Sequence, residues 1–226
     1  MIDLRGVRGL LFDLDGTLVD SAPDLALALD ATLAELDHPP VGEAQARAWV
    51  GNGAKRLVAR ALTGQMWQDP PSTDWDRALE CFFRHYGAHL VERTVLYPGV
   101  AQTLAWLRQH GYALGVVTNK PLRFTRPLLK ALELGEFAVV LGGDSLAEKK
   151  PHPMPLLHAA RTLGLPAKDL LMVGDSLNDV HAARGADMRV ICVPYGYNHG
   201  QDIRGAHPDA VIEDFRELIG YLEQAA

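Results

Sequence analysis

The sequence predicts an α/β fold, in which a doubly wound parallel sheet with a Rossmann-like core carries an inserted all-helical cap domain. Beyond the turn at residues 97–99, apolar runs of strand length alternate with single amphipathic helices. Between residues 18 and 94, helical periodicity continues without a convincing strand. An apolar run at residues 7–12 precedes this helical block. Because a lone strand cannot satisfy its own backbone polar groups, we expect that run to join the later sheet.

The helical block predicts a cap domain over residues 19–92, and residues 1–18 and 93–226 form the core domain. The first cap helix is expected to begin near Ser21, because Ser21 followed by Asp24 resembles a capping box. Leucines at spacings of four, four and three then give this helix one apolar face. Further cap helices are predicted near residues 43–49, 54–62 and 75–91.

The second part of the chain predicts a parallel sheet with helices on both faces, because single helices separate its strands. Ligands of such sheets bind beyond the carboxyl ends of the strands, so the residues after each strand are the candidates for function. The predicted helices span about residues 100–109, 122–132, 154–163, 177–184 and 215–223, and the predicted strands span about 113–118, 137–141, 170–173, 189–193 and 210–212.

Composition and charge limit the possible classes of function. The chain has 226 residues, 48% of them hydrophobic and 22% charged, which is an ordinary globular composition. A net charge of -6 without a lysine or arginine tract disfavours nucleic acid as a partner. Cys81 and Cys192 lie far apart, which indicates neither a disulfide framework nor a zinc knuckle. Because no run of about 18 apolar residues occurs, we expect a soluble, cytoplasmic protein without a membrane partner.

Two aspartates stand where the first predicted strand ends. Asp13 and Asp15 project to the same side in extended geometry, and Gly16 permits a sharp turn directly after them. Like charges this close are costly unless a cation or a shared proton reconciles them, which points to Mg2+ held by oxygen ligands. A solvated Asp-Gly turn is the alternative. A calcium loop is excluded, because Leu18 takes the position where that loop requires glycine.

Polar residues also follow the later predicted strands, and the whole set suits phosphoryl transfer. In that chemistry a carboxylate attacks phosphorus and a second acid moves protons, which are roles that match Asp13 and Asp15. A divalent metal reduces the repulsion between carboxylate and phosphate, while a hydroxyl, an amide and an ammonium hold the phosphate oxygens. The groups that match these needs are Thr118, Asn119, Lys150 and Asp175.

Short segments carry nearly all of these residues. They are Phe12-Asp13-Leu14-Asp15-Gly16-Thr17-Leu18-Val19-Asp20-Ser21, Thr118-Asn119-Lys120-Pro121, Lys149-Lys150-Pro151-His152-Pro153, Val173-Gly174-Asp175-Ser176 and Asn178-Asp179. Together the segments resemble the haloacid dehalogenase-like hydrolases and, within that family, the phosphoglycolate phosphatase subgroup. The resemblance covers nearly the whole chain. It implies a phosphatase that hydrolyses 2-phosphoglycolate to glycolate and phosphate through an aspartyl-phosphate.

The resemblance also implies a role for each catalytic residue. Asp13 would be the nucleophile and Asp15 the general acid and base. Lys150 would order the nucleophile and the phosphate, and it is preferred to Lys149 because the family's lysine directly precedes the proline. Dehalogenases of the family lack the second acid, so Asp15 indicates phosphate transfer. The phosphate ligands implied in this way are Thr118, Asn119 and Lys150.

The same resemblance implies Mg2+ as the cofactor. The ion would be held by the Asp13 carboxylate, the Asp15 backbone carbonyl and Asp175. Asp179 would hold these ligands in position without binding the ion itself.

The helical insert resembles the mobile cap of the family, which closes to expel water and to contact the leaving group. Gly51-Asn52-Gly53 lies at a predicted helix start, where free backbone N–H groups can receive a carboxylate, and Lys55 follows on that helix. A plain turn at the helix start is the alternative for this segment.

The sequence supports a functional role less strongly for other polar residues. Lys120 and Arg123 can steer an anion from the core side, or they can be solvated as exposed cations. His85 and His89 have the spacing of a zinc-binding helix, but Tyr86 replaces the expected glutamate, which favours an ordinary pair on a helix surface.

The sequence leaves the exact substrate open, because specificity lies in the cap. The nearest alternative is a phosphatase of the same fold for a sugar phosphate or pyrophosphate. A phosphomutase and a binding module without turnover are further alternatives. We expect a monomer or homodimer that acts on a small anionic phosphomonoester.

Overall fold

The computed structural model describes residues 2–225, except for the side chains of residues 72–74. Most strands lie within one or two residues of the positions that the sequence predicts. In chain order they are β1 (Gly9–Phe12), β2 (Val19–Asp20), β3 (Val95–Leu96), β4 (Ala113–Val117), β5 (Val139–Leu141), β6 (Leu170–Gly174), β7 (Arg189–Cys192) and β8 (Ala210–Val211).

Within the described residues, one parallel sheet has the strand order β5-β4-β1-β6-β7-β8. Strand β1 lies between β4 and β6, which confirms that the isolated first strand joins the later sheet. Phe12 is the partner of Val116 on one side and of Val173 on the other. The carboxyl ends of these central strands are therefore level, so the residues that follow them meet at one edge.

Helices cover both faces of the sheet, as predicted for a doubly wound fold. The α-helices are α1 (Ala22–Glu35), α2 (Gly42–Trp49), α3 (Ala54–Thr63), α4 (Ser72–Ala88), α5 (Val100–Gln109), α6 (Leu122–Ala131), α7 (Met154–Leu163), α8 (Leu177–Gly185) and α9 (Glu217–Glu223). Leu10 and Phe12 pack in a buried cluster with α5, α6 and α9, whereas Leu11 packs on the opposite face with α7 and α8. This alternation follows from the period of two in a strand.

Helices α1 to α4 form a separate helical layer with an apolar centre of its own. Helix α4 begins and ends three residues earlier than the sequence predicts. Phe124, from α6, and Tyr197, from the loop after β7, belong to this apolar centre. The helical layer is therefore completed by side chains from the sheet-bearing part of the chain. None of the helices within residues 2–225 is both long and apolar enough to cross a membrane.

A short ribbon connects the helical layer to the sheet. Strands β2 and β3 pair antiparallel, with Val19 opposite Leu96 and Asp20 opposite Val95. The prediction that no strand occurs between residues 18 and 94 is therefore wrong at β2. The two connecting segments run side by side and satisfy each other's backbone groups, which a two-residue strand does not reveal in the sequence.

The predicted capping box at the start of α1 is also wrong. Ser21 occupies the N-cap position, but its hydroxyl donates to Asp15 at 2.6 Å and makes no cap hydrogen bond. The fully buried Asp24 carboxylate instead accepts hydrogen bonds from the backbone N–H groups of Arg93 and Thr94 and from the Thr94 hydroxyl. Asp24 thus attaches residues 93–94, where the chain leaves α4 for β3, to α1.

We predict that Asp24→Ala lowers the free energy of unfolding by about 2–4 kcal/mol, because two N–H groups and one hydroxyl lose a charged acceptor. Urea unfolding followed by circular dichroism measures the change. Asp76→Ala removes an exposed carboxylate from α4 and is the matched control; it should change the free energy of unfolding by less than about 0.5 kcal/mol. Equal effects of the two variants would contradict this account of Asp24.

Candidate active site

Asp13 lies directly after β1, at the edge where the central strands end. Its side chain is almost buried, and Oδ1 accepts a hydrogen bond from the Leu14 N–H at 2.7 Å. The Lys150 ammonium lies 2.9 Å from the same oxygen. Burial raises the pKa of Asp13 to about 6, against the opposing effect of the Lys150 charge. Both recorded contacts use one oxygen, so the other is available for a metal ion or for phosphorus.

Asp15 follows in a tight turn whose geometry requires glycine. Gly16 has a φ of +91°, and a Cβ there would lie 2.3 Å from Asp175 Oδ2. The Asp15 carboxylate accepts a hydrogen bond from the Ser21 hydroxyl at 2.6 Å. It also pairs with the Lys120 ammonium, at 2.9 Å and 3.1 Å from its two oxygens. The two aspartates thus have separate cations, one lysine each.

Asp175 follows β6, the strand beside β1. Its side chain is buried and accepts hydrogen bonds from the Thr17 hydroxyl at 2.7 Å and from the Tyr197 N–H at 2.6 Å. Burial, followed by the charges of Asp13 and Asp179, raises the pKa of Asp175. Burying a carboxylate beside two others costs free energy. The presence of Asp175 here therefore indicates that the site binds a positively charged group.

Asp179 holds the N-terminal turn of α8 and the Lys150 ammonium. It forms a capping box with Ser176: Oδ2 accepts hydrogen bonds from the Ser176 N–H and hydroxyl. Its other oxygen lies 2.6 Å from the Lys150 ammonium. The side chains of Asp179 and Lys150 are both buried. Asp179 therefore fixes the lysine that pairs with Asp13.

The acidic groups at this edge can hold a divalent metal ion. One carboxylate oxygen from each of Asp13, Asp175 and Asp179 lies within 4.8 Å of the others. Oxygen ligands with excess negative charge are what Mg2+ and similar hard cations require. The Asp15 carboxylate does not belong to this group, which agrees with an assignment that uses only its backbone carbonyl.

The predicted phosphate ligands follow β4 at the same edge. The Thr118 hydroxyl is buried and accepts a hydrogen bond from the Lys120 N–H at 3.2 Å. The Asn119 side chain donates to the backbone carbonyls of Gly51 and Lys150, at 3.1 Å and 2.9 Å. Its Oδ1 is buried without a hydrogen-bond partner among residues 2–225. Asn119 therefore fastens the loop before α3 to the sheet edge.

A cleft of about 470 Å³ lies between this edge and the helical layer. Gly51 and Gly53, from the predicted cap segment, are among its lining residues. Asn52 and Lys55 do not line it: the Asn52 oxygen accepts a hydrogen bond from Arg60 at 2.7 Å, and Lys55 is exposed. The cleft is lined by Asp13, Asp15, Leu25, Val50, Gly51, Gly53, Ala54, Leu57, Phe82, Tyr86, Thr118, Asn119, Lys120, Pro121 and Phe124.

The sequence left Lys120 and Arg123 as possible solvated cations, and the structure shows that their surroundings differ. For Lys120 that alternative is wrong: its side chain is buried and its ammonium lies 4.6 Å from the centre of the Tyr86 ring. Arg123 is exposed and stacks on Phe83, with its guanidinium carbon 3.7 Å from the ring centre. Lys120 directly follows Thr118 and Asn119, and that position was the available signal for its place in the site.

Other residues of the site had no usable sequence signal. The Tyr197 hydroxyl accepts hydrogen bonds from the N–H groups of Ser21 and Ala22, where α1 begins, and contacts Asp20. The same residue's N–H binds Asp175. Tyr197 lies in a loop 176 residues from Ser21, so only the folded chain brings these groups together.

Comparison with known proteins places the chain in a family. The family described as haloacid dehalogenase-like hydrolase matches residues 10–193. The chain belongs to the haloacid dehalogenase-like hydrolases. The resemblance found in the sequence motifs is confirmed, and the parallel sheet with flanking helices is the fold of this family.

Similar proteins of known name cover almost the whole chain. A phosphoglycolate phosphatase from Nitrosococcus oceani is 48% identical over 99% of this chain and 100% of its own length. One from Salmonella typhimurium is 44% identical over 97% of this chain and 94% of its own. The crystal structure of a predicted phosphoglycolate phosphatase from Haemophilus somnus matches with a TM-score of 0.88 and 38% identity, over 95% of this chain and 97% of its own.

A further similar structure was solved with a ligand bound. CbbY from Rhodobacter sphaeroides, crystallised in complex with phosphate, has a TM-score of 0.76 and 30% identity to this chain. The match covers 96% of this chain and 99% of that protein.

We predict that Asp175→Asn removes most of the thermal stabilisation that Mg2+ gives to the wild-type protein. Asparagine can keep both contacts, because the Thr17 hydroxyl can accept from the amide and the Tyr197 N–H can donate to its oxygen. The variant without metal should therefore be at least as stable as wild type. Thermal unfolding in EDTA and in Mg2+, at matched ionic strength, measures both quantities. Asp76→Asn is the exposed control, and a full Mg2+ shift in Asp175→Asn would contradict the assignment.

Proposed function

We propose that the protein is a Mg2+-dependent phosphatase that hydrolyses 2-phosphoglycolate to glycolate and phosphate through an aspartyl-phosphate. The observation that carries the chemistry is the pairing of Asp13 with Lys150 at the edge of the sheet, with Asp15 directly beside it. The substrate is supported by the names of relatives that are 43–48% identical to nearly the whole chain.

In the first step, a carboxylate oxygen of Asp13 attacks phosphorus. The bond between Asp13 and phosphorus forms while the bond from phosphorus to the ester oxygen breaks. Asp15 donates a proton to the departing oxygen, so that oxygen leaves as a hydroxyl group rather than as an alkoxide. Because Asp13 and Asp15 share one side of the strand end, nucleophile and acid can reach opposite ends of the breaking bond.

In the second step, Asp15 acts as a base. It removes a proton from water, the water oxygen bonds to phosphorus, and the bond to Asp13 breaks. This step regenerates the Asp13 carboxylate and releases phosphate. The proton that Asp15 gained is the one it will donate to the next leaving group, so the cycle balances.

The phosphate oxygens require donors at the same edge. Thr118 offers a hydroxyl, and Lys150 offers an ammonium that already contacts Asp13. The Asn119 side chain is engaged by Gly51 and Lys150, so its backbone N–H is the group we assign to phosphate. Donors fixed before the substrate arrives stabilise developing charge without reorganisation.

Mg2+ would be bound by the Asp13 carboxylate, the Asp15 carbonyl and Asp175, with Asp179 holding Lys150 behind them. When bound, the ion neutralises the repulsion between the phosphate and these carboxylates. The buried and mutually repelling carboxylates fit such an ion, because Lys150 and Lys120 compensate only part of their charge.

The helical layer would supply substrate specificity. We assign residues 19–92 to a cap domain and residues 1–18 and 93–226 to the catalytic core. A small ester fills little of a site, so the cap must exclude water and contact the leaving group. Gly51 and Gly53 line the cleft from the cap side. Asn52 and Lys55 are the remaining predicted cap residues; both lie outside the cleft lining and remain weaker candidates.

A sugar phosphate is the second candidate substrate. CbbY, 30% identical to this chain, is described with xylulose-(1,5)bisphosphate bound to a mutant form of that protein. The same residues of the core would then perform the chemistry, and the cap would hold the sugar.

We predict that the wild-type protein with Mg2+ hydrolyses 2-phosphoglycolate with a higher kcat/KM than a panel of sugar phosphates and pyrophosphate. Asp13→Asn should abolish the activity, because the amide cannot form the phosphorylated intermediate; a loss of at least about 10³-fold is expected. Phosphate release measures both results.

The control for Asp13→Asn is Asp30→Asn, which changes a carboxylate remote from the cleft that accepts from the N–H groups of Val41 and Gly42. Persistent turnover in a pure Asp13→Asn preparation would disprove the mechanism. A several-fold preference of the wild type for another ester would replace the substrate and leave the chemistry intact.

A further inference from the structure

The cleft has one cation that phosphate chemistry does not require. Among the described residues that line the cleft, Lys120 is the only lysine or arginine. The Lys120 side chain is buried, and its ammonium pairs with the Asp15 carboxylate at 2.9 Å. Lys120 therefore remains an ammonium inside the cleft, on the side of Asp15 rather than of Asp13.

A buried hydroxyl lies beside this ammonium. Tyr86, from α4, is 1% exposed and lines the same cleft. Its hydroxyl has no hydrogen-bond partner among residues 2–225. Burial raises the pKa of Tyr86 to about 12, so the hydroxyl keeps its proton and can donate it to an acceptor that enters the cleft beside the Lys120 ammonium.

We propose that the Lys120 ammonium and the Tyr86 hydroxyl together bind the carboxylate of the leaving group and so determine substrate specificity. This inference rests on the proposed function, in which glycolate is the leaving group. An anionic acceptor satisfies both groups at once: it pairs with the cation and gives the orphaned hydroxyl its partner.

The position of Asp15 shows that the Lys120 ammonium can reach the carboxylate of a substrate whose ester oxygen contacts Asp15. Asp15 must contact the ester oxygen to protonate it, and the carboxylate carbon of 2-phosphoglycolate is two bonds from that oxygen. The Lys120 ammonium is 2.9 Å from Asp15, so it is within reach of the carboxylate when Asp15 reaches the ester. An ammonium has three N–H donors, and the Asp15 carboxylate with its two oxygens leaves at least one for the substrate.

The two groups come from different layers of the protein. Lys120 follows β4 of the sheet, and Tyr86 belongs to a helix of the cap. A carboxylate bound between them therefore joins the cap to the core directly above Asp15. Lys55, the cap cation that the sequence analysis named beside Gly51-Asn52-Gly53, is exposed and outside the cleft lining.

The test compares 2-phosphoglycolate with ethyl phosphate, which has the same chain length and a methyl group in place of the carboxylate. Lys120→Met should lower the ratio of kcat/KM for the two substrates by about 10- to 100-fold, because a charged hydrogen bond to the carboxylate is lost. Tyr86→Phe keeps the ring and should lower the same ratio by roughly 3- to 10-fold. Thermal unfolding checks that both variants are folded.

Matched controls are Lys130→Met and Tyr97→Phe. Lys130 is exposed on α6, and the Tyr97 hydroxyl is also buried without a partner in the described chain but lies outside the cleft lining. Neither should change the ratio. Equal losses on both substrates in Lys120→Met and Tyr86→Phe would overturn the inference, because they would mean that these residues only position Asp15 or the cap. A lower ratio of the two kcat/KM values in Lys55→Met, together with an unchanged ratio in Lys120→Met, would also overturn the inference.

The wild-type measurement separates this inference from the proposed function. A wild-type enzyme that prefers ethyl phosphate or a sugar phosphate would disprove glycolate as the leaving group, and the carboxylate subsite with it. A wild-type enzyme that prefers 2-phosphoglycolate, with variants that keep the preference, would disprove the subsite alone.

Discussion

The structure depends on the balance of charge at one edge of the sheet. Asp13, Asp15, Asp175 and Asp179 meet there because β1 and β6 end level with each other. Two unit charges about 4 Å apart repel by about 4 kcal/mol at an effective dielectric of about 20, while a whole domain is stable by only about 5–15 kcal/mol. Buried lysines offset part of this repulsion: Lys150 pairs with Asp13 and Asp179, and Lys120 pairs with Asp15. The remaining excess of negative charge suits this edge to a divalent cation.

This balance also explains why Asp13 and Asp15 are not equivalent. Asp13 shares its lysine with Asp179, and that lysine is fixed from behind by the capping box of α8. The partners of Asp15 come instead from residues beside the cap, since Ser21 stands at the start of α1 and the Lys120 ammonium lies against Tyr86. Asp13 is therefore held by residues of the sheet edge, whereas the partners of Asp15 lie beside the helical layer.

Much of the fold and of the core site could be predicted from the sequence, because those features are local. Strand ends, the helix period and the short motifs place Asp13, Asp15, Thr118 and Asp175 at one edge without any knowledge of tertiary contacts. The features that prediction missed all depend on distant residues. Asp24 serves the segment at 93–94 rather than its own helix, and the buried Lys120 ammonium lies against Tyr86 of α4. A two-residue strand such as β2 has too few residues to show a period.

The apolar centre of the cap has a consequence for how such proteins can be recombined. Phe124 and Tyr197 complete that centre, although both lie far outside residues 19–92. An exchange of the helical insert between two relatives would bring new packing partners but leave these two side chains behind, with cavities or clashes where they no longer match. Tyr197 also binds the start of α1 and Asp175 through the same few atoms. The packing unit is therefore discontinuous in sequence: it comprises the helical layer together with positions 124 and 197.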